Sequence, residues 1–329
     1  MKVSRRSFMT TLTALGATGL SLHRASAQAY PDRAIKVVVP FAAGGNADIN
    51  GRIAADILQR ALGQPVVVEN RAGAGGGVGA EFVARASPDG YTLLIGSNGP
   101  LTVNPFVNAN LPYDALTDFV AVAMTSYTPH GLLLSTKTGV KSLAEMIALS
   151  KTRPVTLATS GVGSATHMTL ERFKQATGAN LTHVPYRSSG VLLPDVIAGN
   201  IDGAMTEFST SLEQHKGDQA RIIGVAAVGR SKLAPDIATF DEQGVKGFLA
   251  QSFVGVVAPS KTPPEIIAKL QAALAAGLAP GSPAAEKLLG TGSELASAEQ
   301  MTPAGFAAFI KRDYEDMRVA AKLAGISTK

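Results

Sequence analysis

Three loops of small residues follow apolar, β-branched segments, and their backbone amides are the groups best suited to chemistry. The loops are Gly44-Gly45, Gly96-Ser97-Asn98-Gly99 and Ser160-Gly161-Val162-Gly163-Ser164. Glycine lets a backbone approach a ligand closely, and the first N–H groups of a helix have no acceptor within their own helix. Two such helix starts facing each other would suit a molecule with a carboxylate at one or both ends. For any one loop, a tight turn between strand and helix is also a sufficient explanation.

Strands and helices alternate along the chain, which predicts an α/β fold with parallel strands. The strand predicted at 34–41 leads into the first loop, and the helix after it stops at Gly63. Further strands are predicted at 65–69, 91–95, 132–134, 155–159, 182–185, 201–205, 221–228 and 253–258. Further helices are predicted after the glycine-rich turn 73–79 and at 165–177, 191–199, 266–278, 284–289 and 303–323, the last with Thr302 as its cap. Ligands of open parallel sheets lie beyond the carboxyl ends of the strands, where the small-residue loops stand.

One glycine-rich stretch raises the alternative of a dinucleotide-dependent oxidoreductase. Residues 75–80 (GGGVGA) fit the pattern G-x-G-x-x-A after a strand. That fingerprint also needs an acidic residue at the end of the next strand. The strand predicted at 91–95 is followed by Gly96-Ser97-Asn98 instead, and Asp89 precedes it. A nicotinamide cofactor is therefore not expected.

A serine hydrolase is the second enzymatic alternative, because Ser160, His167 and several aspartates are present. The sequence has no G-x-S-x-G elbow, the strained turn that exposes a nucleophilic serine. It also has no H-E-x-x-H or similar spacing for a metal. We therefore expect no enzyme, no cofactor and no metal site.

The first 27 residues have the three-part layout of a bacterial export signal. A basic start with the pair Arg5-Arg6 precedes a mild apolar run at 9–22, and Ala25-Ser26-Ala27 is an A-x-A cleavage pattern. The arginine pair also resembles a twin-arginine signal. An uncleaved anchor is the alternative, but a spanning helix needs about 20 apolar residues. The sequence predicts an exported, periplasmic protein with a cleaved signal at 1–27.

Removal of that leader leaves the chain almost neutral. The sequence holds 30 Lys and Arg against 25 Asp and Glu, and the leader holds four of the basic residues and no acidic one, which leaves +1. A nucleic-acid partner, which requires a clustered basic surface, is not expected. The chain has no cysteine, so disulfides and thiolate metal sites are excluded. A chain of this length exceeds what one core usually serves, which predicts two lobes.

Several segments together resemble the substrate-binding receptors of tripartite tricarboxylate transporters, the Bug proteins. The resemblance runs from about Tyr30 to Gly325. The matching segments are Pro40-Phe41 with Gly44-Gly45 and Asp48; 66–71 (VVVENR) with 73–76 (GAGG); 87–94 (SPDGYTLL); Asn104-Pro105; 111–114 (LPYD); Asp118-Phe119; 183–186 (HVPY); and Ala258-Pro259.

This resemblance implies the type II periplasmic binding protein fold, with two α/β lobes joined by two crossover connections. Each lobe is expected to be a mainly parallel sheet flanked by helices. The first lobe would hold residues 30–129 plus 255–329, and the second lobe residues 130–254.

The resemblance also implies a carboxylate site between the lobes. The first loop would contribute Phe41, Gly44, Gly45 and Asp48, and the second would contribute Ser160, Gly163 and Ser164 with His167. Wall residues would be Asn98, Tyr127, Thr128, Tyr186 and Glu207.

Some of these residues also have structural explanations. Asp48 can cap the first helix, and Ser164 can cap the helix that follows it. His167 can be a histidine bonded within the core, and Tyr186 a packed aromatic. Turn chemistry explains Asn98 nearly as well as ligand contact does.

The sequence departs from the family pattern at three places. Asn50-Gly51-Arg52 stands where Ala usually precedes the Arg, and Arg187-Ser188-Ser189-Gly190 replaces a more usual Lys-Gly. Phe253 stands where Trp is common. The first two departures can alter contacts in the cleft and therefore the identity of the ligand.

Taken together, these patterns predict a monomeric periplasmic receptor that captures a small organic acid. A dicarboxylate, an acidic amino acid and an aromatic acid all fit. The receptor would deliver its ligand to integral membrane permease subunits. A ligand-sensing adaptor for a membrane sensor kinase is the alternative role, since both roles begin with cleft closure.

Overall fold

The structure is a computed structural model that describes residues 30–328. Residues from Arg33 onward form one compact unit, and of the segment before it only residues 30–32 are described. The export signal predicted at 1–27 lies outside the described residues. None of the helices within 30–328 combines the length and the apolar character that crossing a bilayer requires.

Strands and helices alternate along the described residues as predicted. The strands are β1 (Ile35–Val39), β2 (Val66–Asn70), β3 (Thr92–Ser97), β4 (Phe119–Ser135), β5 (Val155–Thr159), β6 (Leu181–Pro185), β7 (Gly203–Glu207), β8 (Ala220–Val225), β9 (Gln251–Pro259) and β10 (Glu294–Leu295). The helices are α1 (Asn46–Leu62), α2 (Gly77–Ala84), α3 (Asn104–Val107), α4 (Leu143–Thr152), α5 (Ala165–Thr177), α6 (Ser189–Ala198), α7 (Phe208–Lys216), α8 (Pro264–Gly277), α9 (Pro283–Gly290) and α10 (Pro303–Leu323).

One sheet runs through the molecule in the order β2-β1-β3-β9-β4-β7-β5-β6, with β8 and β10 as further partners of β4. β1 pairs in parallel with β2 and β3, and β5 pairs in parallel with β6 and β7. β9 pairs antiparallel with β3 and β4, and β4 pairs antiparallel with β7 and β8. The outer strands are therefore parallel as predicted, whereas the two strands at the centre make the sheet mixed.

The long strand β4 joins the two halves of the sheet. It pairs with β9 from Phe119 to Pro129, and it pairs with β7 and β8 between His130 and Ser135. We call the part built on β1, β2, β3, β9 and the start of β4 the first lobe. The part built on β5 to β8 and the end of β4 is the second lobe.

The length of β4 differs from the prediction, which placed a strand only at 132–134. Ser126, Thr128 and His130 lie within β4 and are buried. Such polar residues interrupt the apolar alternation that marks a strand in a sequence. The structure satisfies them with side-chain hydrogen bonds, so the strand continues through them.

Several helix ends follow from local chemistry. α5 and α10 have the predicted bounds, and the Thr302 hydroxyl accepts the Gly305 N–H at 3.0 Å at the start of α10. α1 ends at Gly63, whose φ of 71° favours glycine. The prediction missed α3, α4 and α7. The first turn of α7 contains Ser209, Thr210 and Ser211 after Phe208. Serine and threonine favour caps and turns over helix interiors.

Apolar packing against the sheet fixes the helices in each lobe. In the first lobe, Val38, Leu94 and Val257 from the sheet share a buried cluster with Phe306 of α10. In the second lobe, the ring of Phe173 from α5 lies 5.3 Å from the ring of Phe240 in an edge-to-face contact. Since each buried aromatic contributes a large apolar area, α5 and α10 are held rigidly and their first turns keep fixed positions.

Candidate functional site

A small polar cavity lies where strands and helices from both lobes end or begin. Its internal volume is about 20 Å³, room for about one water molecule. Its wall holds six serines, one amide and one carboxyl, and no lysine or arginine. The lining residues are Phe41, Gly45, Asn46, Ala47, Ser97, Gly99, Ser160, Ser164, Ala165, Ser188, Ser189, Glu207, Ser252 and Val254.

Two helices from different lobes start at this cavity. α1 of the first lobe begins at Asn46 after Gly45, and α5 of the second lobe begins at Ala165 after Ser164. The N–H groups of a first helical turn have no acceptor within their own helix, and they lie at the positive end of the helix dipole. The cavity therefore lies between two positive helix ends, which suits an anion.

Asp48 fixes the first loop. Its carboxylate accepts hydrogen bonds from the Gly44 N–H at 3.0 Å, from Asn70 Nδ2 at 2.9 Å and from Arg52 Nε at 3.0 Å. Burial disfavours the ionised carboxylate, but the hydrogen bonds from Arg52, Gly44 and Asn70 outweigh it and lower the Asp48 pKa. Asp48 therefore holds the loop before α1 in place. The alternative prediction that Asp48 caps α1 is wrong, because its carboxylate accepts no backbone N–H of that helix.

A chain of hydroxyl groups fixes the second loop. The Ser164 hydroxyl accepts the His167 N–H at 3.1 Å, which is the predicted cap of α5. Thr166 Oγ1 donates to Ser160 Oγ at 3.3 Å, and Ser160 Oγ lies 2.7 Å from Ser189 Oγ of α6. Both loop serines therefore line the cavity with their orientation set by the second lobe itself.

Glu207 supplies the carboxyl group of the wall. It ends β7 directly opposite His130 of β4, and both side chains are buried. Ser189 donates to Glu207 Oε2, and Ser252 Oγ lies 3.2 Å from Glu207 Oε1. Burial raises the Glu207 pKa above its ordinary value.

Ser97 gives the first lobe an unused hydroxyl at the cavity. Its Oγ is buried and has no hydrogen-bond partner in the described part of the chain. An unpaired buried hydroxyl costs about 1–3 kcal/mol. A polar group that enters the cavity can recover that energy.

Close contacts between the lobes shut the mouth of the cavity. The Ala42 N–H donates to the Arg187 carbonyl at 3.2 Å. Gly190 at the start of α6 packs so tightly on the first loop that a Cβ there would stand 2.5 Å from the Gly44 carbonyl carbon. Gly75 packs against the backbone of Gly163 in the same way. The lobes therefore meet along backbone surfaces that only glycine permits.

The structure brings five of the predicted site residues to the cavity wall: Phe41, Gly45, Ser160, Ser164 and Glu207. Gly44, Asp48 and Gly163 lie in the two loops without lining the cavity.

Two other predicted residues line a second, larger cleft of about 650 Å³, and a third is buried in β4. Asn98 and Tyr127 line this cleft; Asn98 Nδ2 donates to Asp313 Oδ2 at 3.0 Å, and the Tyr127 hydroxyl donates to Glu294 at 2.8 Å. Thr128 is buried, with its Oγ1 2.8 Å from Ser293 Oγ.

His167 and Tyr186 also find partners away from the cavity. His167 stacks on His183 with ring centroids 4.4 Å apart and accepts the Gly163 N–H at 3.4 Å. Burial lowers the His167 pKa, as expected of a neutral histidine bonded within a core. The Tyr186 hydroxyl donates to Asp195 at 2.5 Å on α6.

The prediction missed Ser188, Ser189 and Ser252. The first two belong to the segment 187–190 that departs from the family pattern, and that departure was a usable signal. Ser252 carried no local signal, because its place in the wall depends on the pairing of β9 with β4, where Ser252 lies opposite Thr128.

Comparisons with known proteins agree with this geometry. The sequence model described as the tripartite tricarboxylate transporter family receptor matches residues 51–309. BugT of Bordetella pertussis is 38% identical over 248 residues, which cover 74% of this chain and 76% of BugT.

Solved structures show the same fold. The periplasmic binding protein BugD superposes with a TM-score of 0.86 at 30% identity, over 91% of this chain and 99% of BugD. An R. palustris protein solved with adipate superposes with a TM-score of 0.86 at 32% identity, over 91% of this chain and 99% of that protein. MatC from Rhodopseudomonas palustris, solved with bound malate, superposes with a TM-score of 0.85 at 29% identity, over 88% of this chain and 99% of MatC.

The structural matches span both lobes, with 88–91% of this chain covered. The predicted type II periplasmic binding protein fold is confirmed by these matches, and the family implies a periplasmic location. The chain therefore belongs to the tripartite tricarboxylate transporter receptor family and is a solute-binding receptor, not an enzyme.

Proposed function

We propose that this receptor captures a small organic acid in the cavity between its lobes. The observation that carries the proposal is the position of the cavity between the first turns of α1 and α5. Neutral donors surround it: the serine hydroxyls, the Asn46 amide and the free N–H groups of the two helix starts. A carboxylate can accept from several such donors at once, and each hydrogen bond to a charged group contributes about 1.5–3 kcal/mol.

The ligands of two relatives support a carboxylate. One R. palustris neighbour was solved with adipate, and MatC was solved with malate. Both molecules carry two carboxylates on a short chain. A helix start at each side of the cavity would accommodate such a molecule, so we place dicarboxylates first, with acidic amino acids and aromatic acids as the other members of the class.

The proposed contacts follow from the cavity wall. Phe41, Gly45, Ser160, Ser164 and Glu207 line it, and they are proposed to face the ligand. Gly44, Asp48 and Gly163 hold the two loops in place. Asn98, Tyr127, Thr128, His167 and Tyr186 have partners elsewhere, and we assign them supporting roles.

Binding requires the lobes to part, because the cavity as it stands admits only about one water-sized molecule. The chain passes between the lobes within β4 and again at the start of β9, and a hinge motion at these crossings would open the mouth. The proposed lobes are 30–129 plus 255–329 and 130–254. The change of pairing partners after Pro129 in β4 supports the first of these boundaries.

The family suggests the step that follows capture. We propose that the closed receptor delivers its ligand as a monomer to integral membrane permease subunits in the periplasm. Export would use the signal predicted at 1–27.

A thermal-shift screen tests the proposal. The purified protein is heated with dicarboxylates, acidic amino acids and aromatic acids, and with a neutral sugar and divalent metal ions as controls. A ligand at 100 times its Kd adds about 2.7 kcal/mol of stability. We expect an organic acid to raise the melting midpoint by several degrees. Stabilisation by the sugar or a metal ion, with no response to any acid, would refute the carboxylate assignment.

A further inference from the structure

The cavity wall contains a hydrogen-bonded chain that links Glu207 to a buried histidine. His130 Nε2 lies 2.8 Å from Ser252 Oγ, and Ser252 Oγ lies 3.2 Å from Glu207 Oε1. On its other side, His130 Nδ1 lies 2.8 Å from Thr169 Oγ1 of α5. Thr169 also lines the 650 Å³ cleft, so the chain connects the small cavity with that larger cleft.

Counting the hydrogens shows which atom donates in each contact of this hydrogen-bonded chain. The hydroxyl of Thr169 donates to the Ala165 carbonyl at 3.0 Å, so the hydrogen between Thr169 and His130 has to come from Nδ1. A neutral imidazole with its hydrogen on Nδ1 can only accept at Nε2. Ser252 therefore gives its one hydrogen to His130.

The same count places a proton on Glu207. Since Ser252 has no second hydrogen, its contact with Glu207 Oε1 is a hydrogen bond only if Glu207 Oε1 carries one. At the other oxygen, Ser189 donates to Glu207 Oε2. All four contacts from the Ala165 carbonyl to Glu207 Oε1 are then hydrogen bonds. With an ionised Glu207 and a neutral His130, Ser252 donates to Glu207 instead, and the contact between Thr169 and the Ala165 carbonyl is left without a hydrogen.

The surroundings of Glu207 agree with a neutral carboxyl. α6 faces it with Ser189, β9 with Ser252 and β4 with His130, and no charged side chain contacts it among the described residues. Burial, and then the charge of Arg172, lower the His130 pKa to about 3, so His130 stays neutral. Burial also raises the pKa of Glu207.

We propose that Glu207 is protonated at neutral pH and that this proton determines the specificity of the cavity for an anion. The inference rests on the proposed function, because it concerns how the cavity receives a carboxylate. Its wall holds no cationic side chain, so an ionised Glu207 would place an uncompensated negative charge beside the ligand. The protonated residue removes that charge and keeps its hydrogen-bonding capacity.

Carbon-13 NMR of glutamate carboxyl groups tests the protonation without any ligand. The Glu207 resonance is assigned by its disappearance in Glu207→Gln and followed from pH 5 to pH 9 in the wild-type protein. We expect the position of a protonated carboxyl at pH 7. An ionised Glu207 at pH 7 would overturn the proposal, even if organic acids bind well.

Calorimetric titrations with malate and adipate test the consequence for binding. Between pH 6.5 and 9 the Kd should be constant until the Glu207 resonance titrates, and should then rise by about tenfold per pH unit, as linkage of one proton requires. Glu207→Gln, which is neutral at every pH, should bind with a Kd that does not change over this range. A wild-type Kd that stays constant through the titration of Glu207 would overturn the proposal.

Glu213→Gln is the matched control, because Glu213 lies exposed near the end of α7 and pairs with Lys216. This variant carries the same Glu-to-Gln substitution outside the cavity and should keep the wild-type pH dependence. If neither acid binds, the titrations use the organic acid that the thermal-shift screen identifies; if no acid in that screen binds, the proposed function fails, and the NMR titration still decides the protonation of Glu207. If Glu207→Gln does not fold, the Glu207 carboxyl resonance is assigned by through-bond correlations to the Glu207 backbone, and the NMR titration then needs no variant.

Discussion

Some single side chains in this receptor hold its loops in place, and Asp48 is the clearest case. Its carboxylate accepts three hydrogen bonds from Gly44, Arg52 and Asn70. In Asp48→Ala the Gly44 N–H loses its acceptor, and the Asn70 amide keeps only the Phe41 carbonyl. We expect unfolding in urea to show a loss of about 1–3 kcal/mol.

The control for this change is Asp56→Ala in the same helix. Asp56 forms an exposed pair with Arg60 at 3.0 Å, and such pairs contribute about 0.5 kcal/mol or less. Equal losses in the two variants would show that the bonds of Asp48 do not stabilise the loop.

His130 gives the protein an acid-sensitive stability. Burial and Arg172 lower its pKa from 6.5 to about 3. Between pH 6.5 and about 3, His130 is protonated in the unfolded chain but neutral in the folded protein. The stability that His130 contributes above pH 6.5 is therefore lost as the pH falls toward 3. The loss amounts to about 1.4 kcal/mol per pH unit.

Urea unfolding of wild type and His130→Gln at pH 6, 5 and 4 measures this contribution. The free energy of unfolding should fall more steeply in the wild type, by about 1.4 kcal/mol per pH unit. His167 and His183, whose pKa values burial also lowers, are present in both proteins and cancel in the comparison. Parallel curves would contradict a buried neutral His130.

At the scale of elements, the start of α6 sets how closely the lobes approach. A Cβ at Gly190 would stand 2.5 Å from the carbonyl carbon of Gly44 across the mouth. Gly190→Ala should hold the lobes apart and weaken organic acid binding by about tenfold, since overpacked contacts cost roughly 1–3 kcal/mol. Folding should not suffer, because alanine favours a helix more than glycine does.

Gly290→Ala at the end of α9 is the matched control, because no atom lies within 4 Å of a Cβ at that position. Calorimetry with malate or adipate should distinguish the two variants, and thermal melting should not. Unchanged affinity in Gly190→Ala would mean that tight closure at α6 is not needed for binding.

The sequence predicted the elements whose signals are local. The apolar run of β1, the left-handed Gly63 after α1 and the Thr302 cap of α10 each depend on a few neighbouring residues, and the structure contains all three. The two loops at the cavity were predicted for the same reason.

The missing parts of the site depend on contacts between distant segments. Ser252 meets Glu207 and His130 because β4 pairs first with β9 and then with β7, and no spacing in the sequence shows that meeting. β4 itself was predicted only at 132–134, because its buried polar residues are paired with partners far away in the chain. The buried polar residues of β4 thus obscured the sequence pattern of the strand.

The whole molecule can be tested with a covalent lock across its mouth. The chain has no cysteine, and a backbone hydrogen bond of 3.2 Å joins Ala42 to Arg187. Residues bonded in this way stand about as far apart as a disulfide spans, roughly 4.4–6.8 Å between Cα atoms. The double variant Ala42→Cys/Arg187→Cys should therefore crosslink on oxidation.

The oxidised variant should neither take up nor release a labelled organic acid, and reduction should restore exchange. Ala42→Cys alone, treated with the same oxidant, is the control and should exchange freely. Free exchange by the crosslinked protein would show that ligand enters by another route than the parting of the lobes.

The seventeen residues of β4 have a consequence for how such receptors diversify. This one strand supplies backbone partners to both lobes, so a chain cut or recombined within it would leave two sheets with unpaired edges. Exchange of one lobe between relatives would therefore have to preserve the pairing along the whole strand, whereas substitutions in the cavity loops leave that pairing untouched.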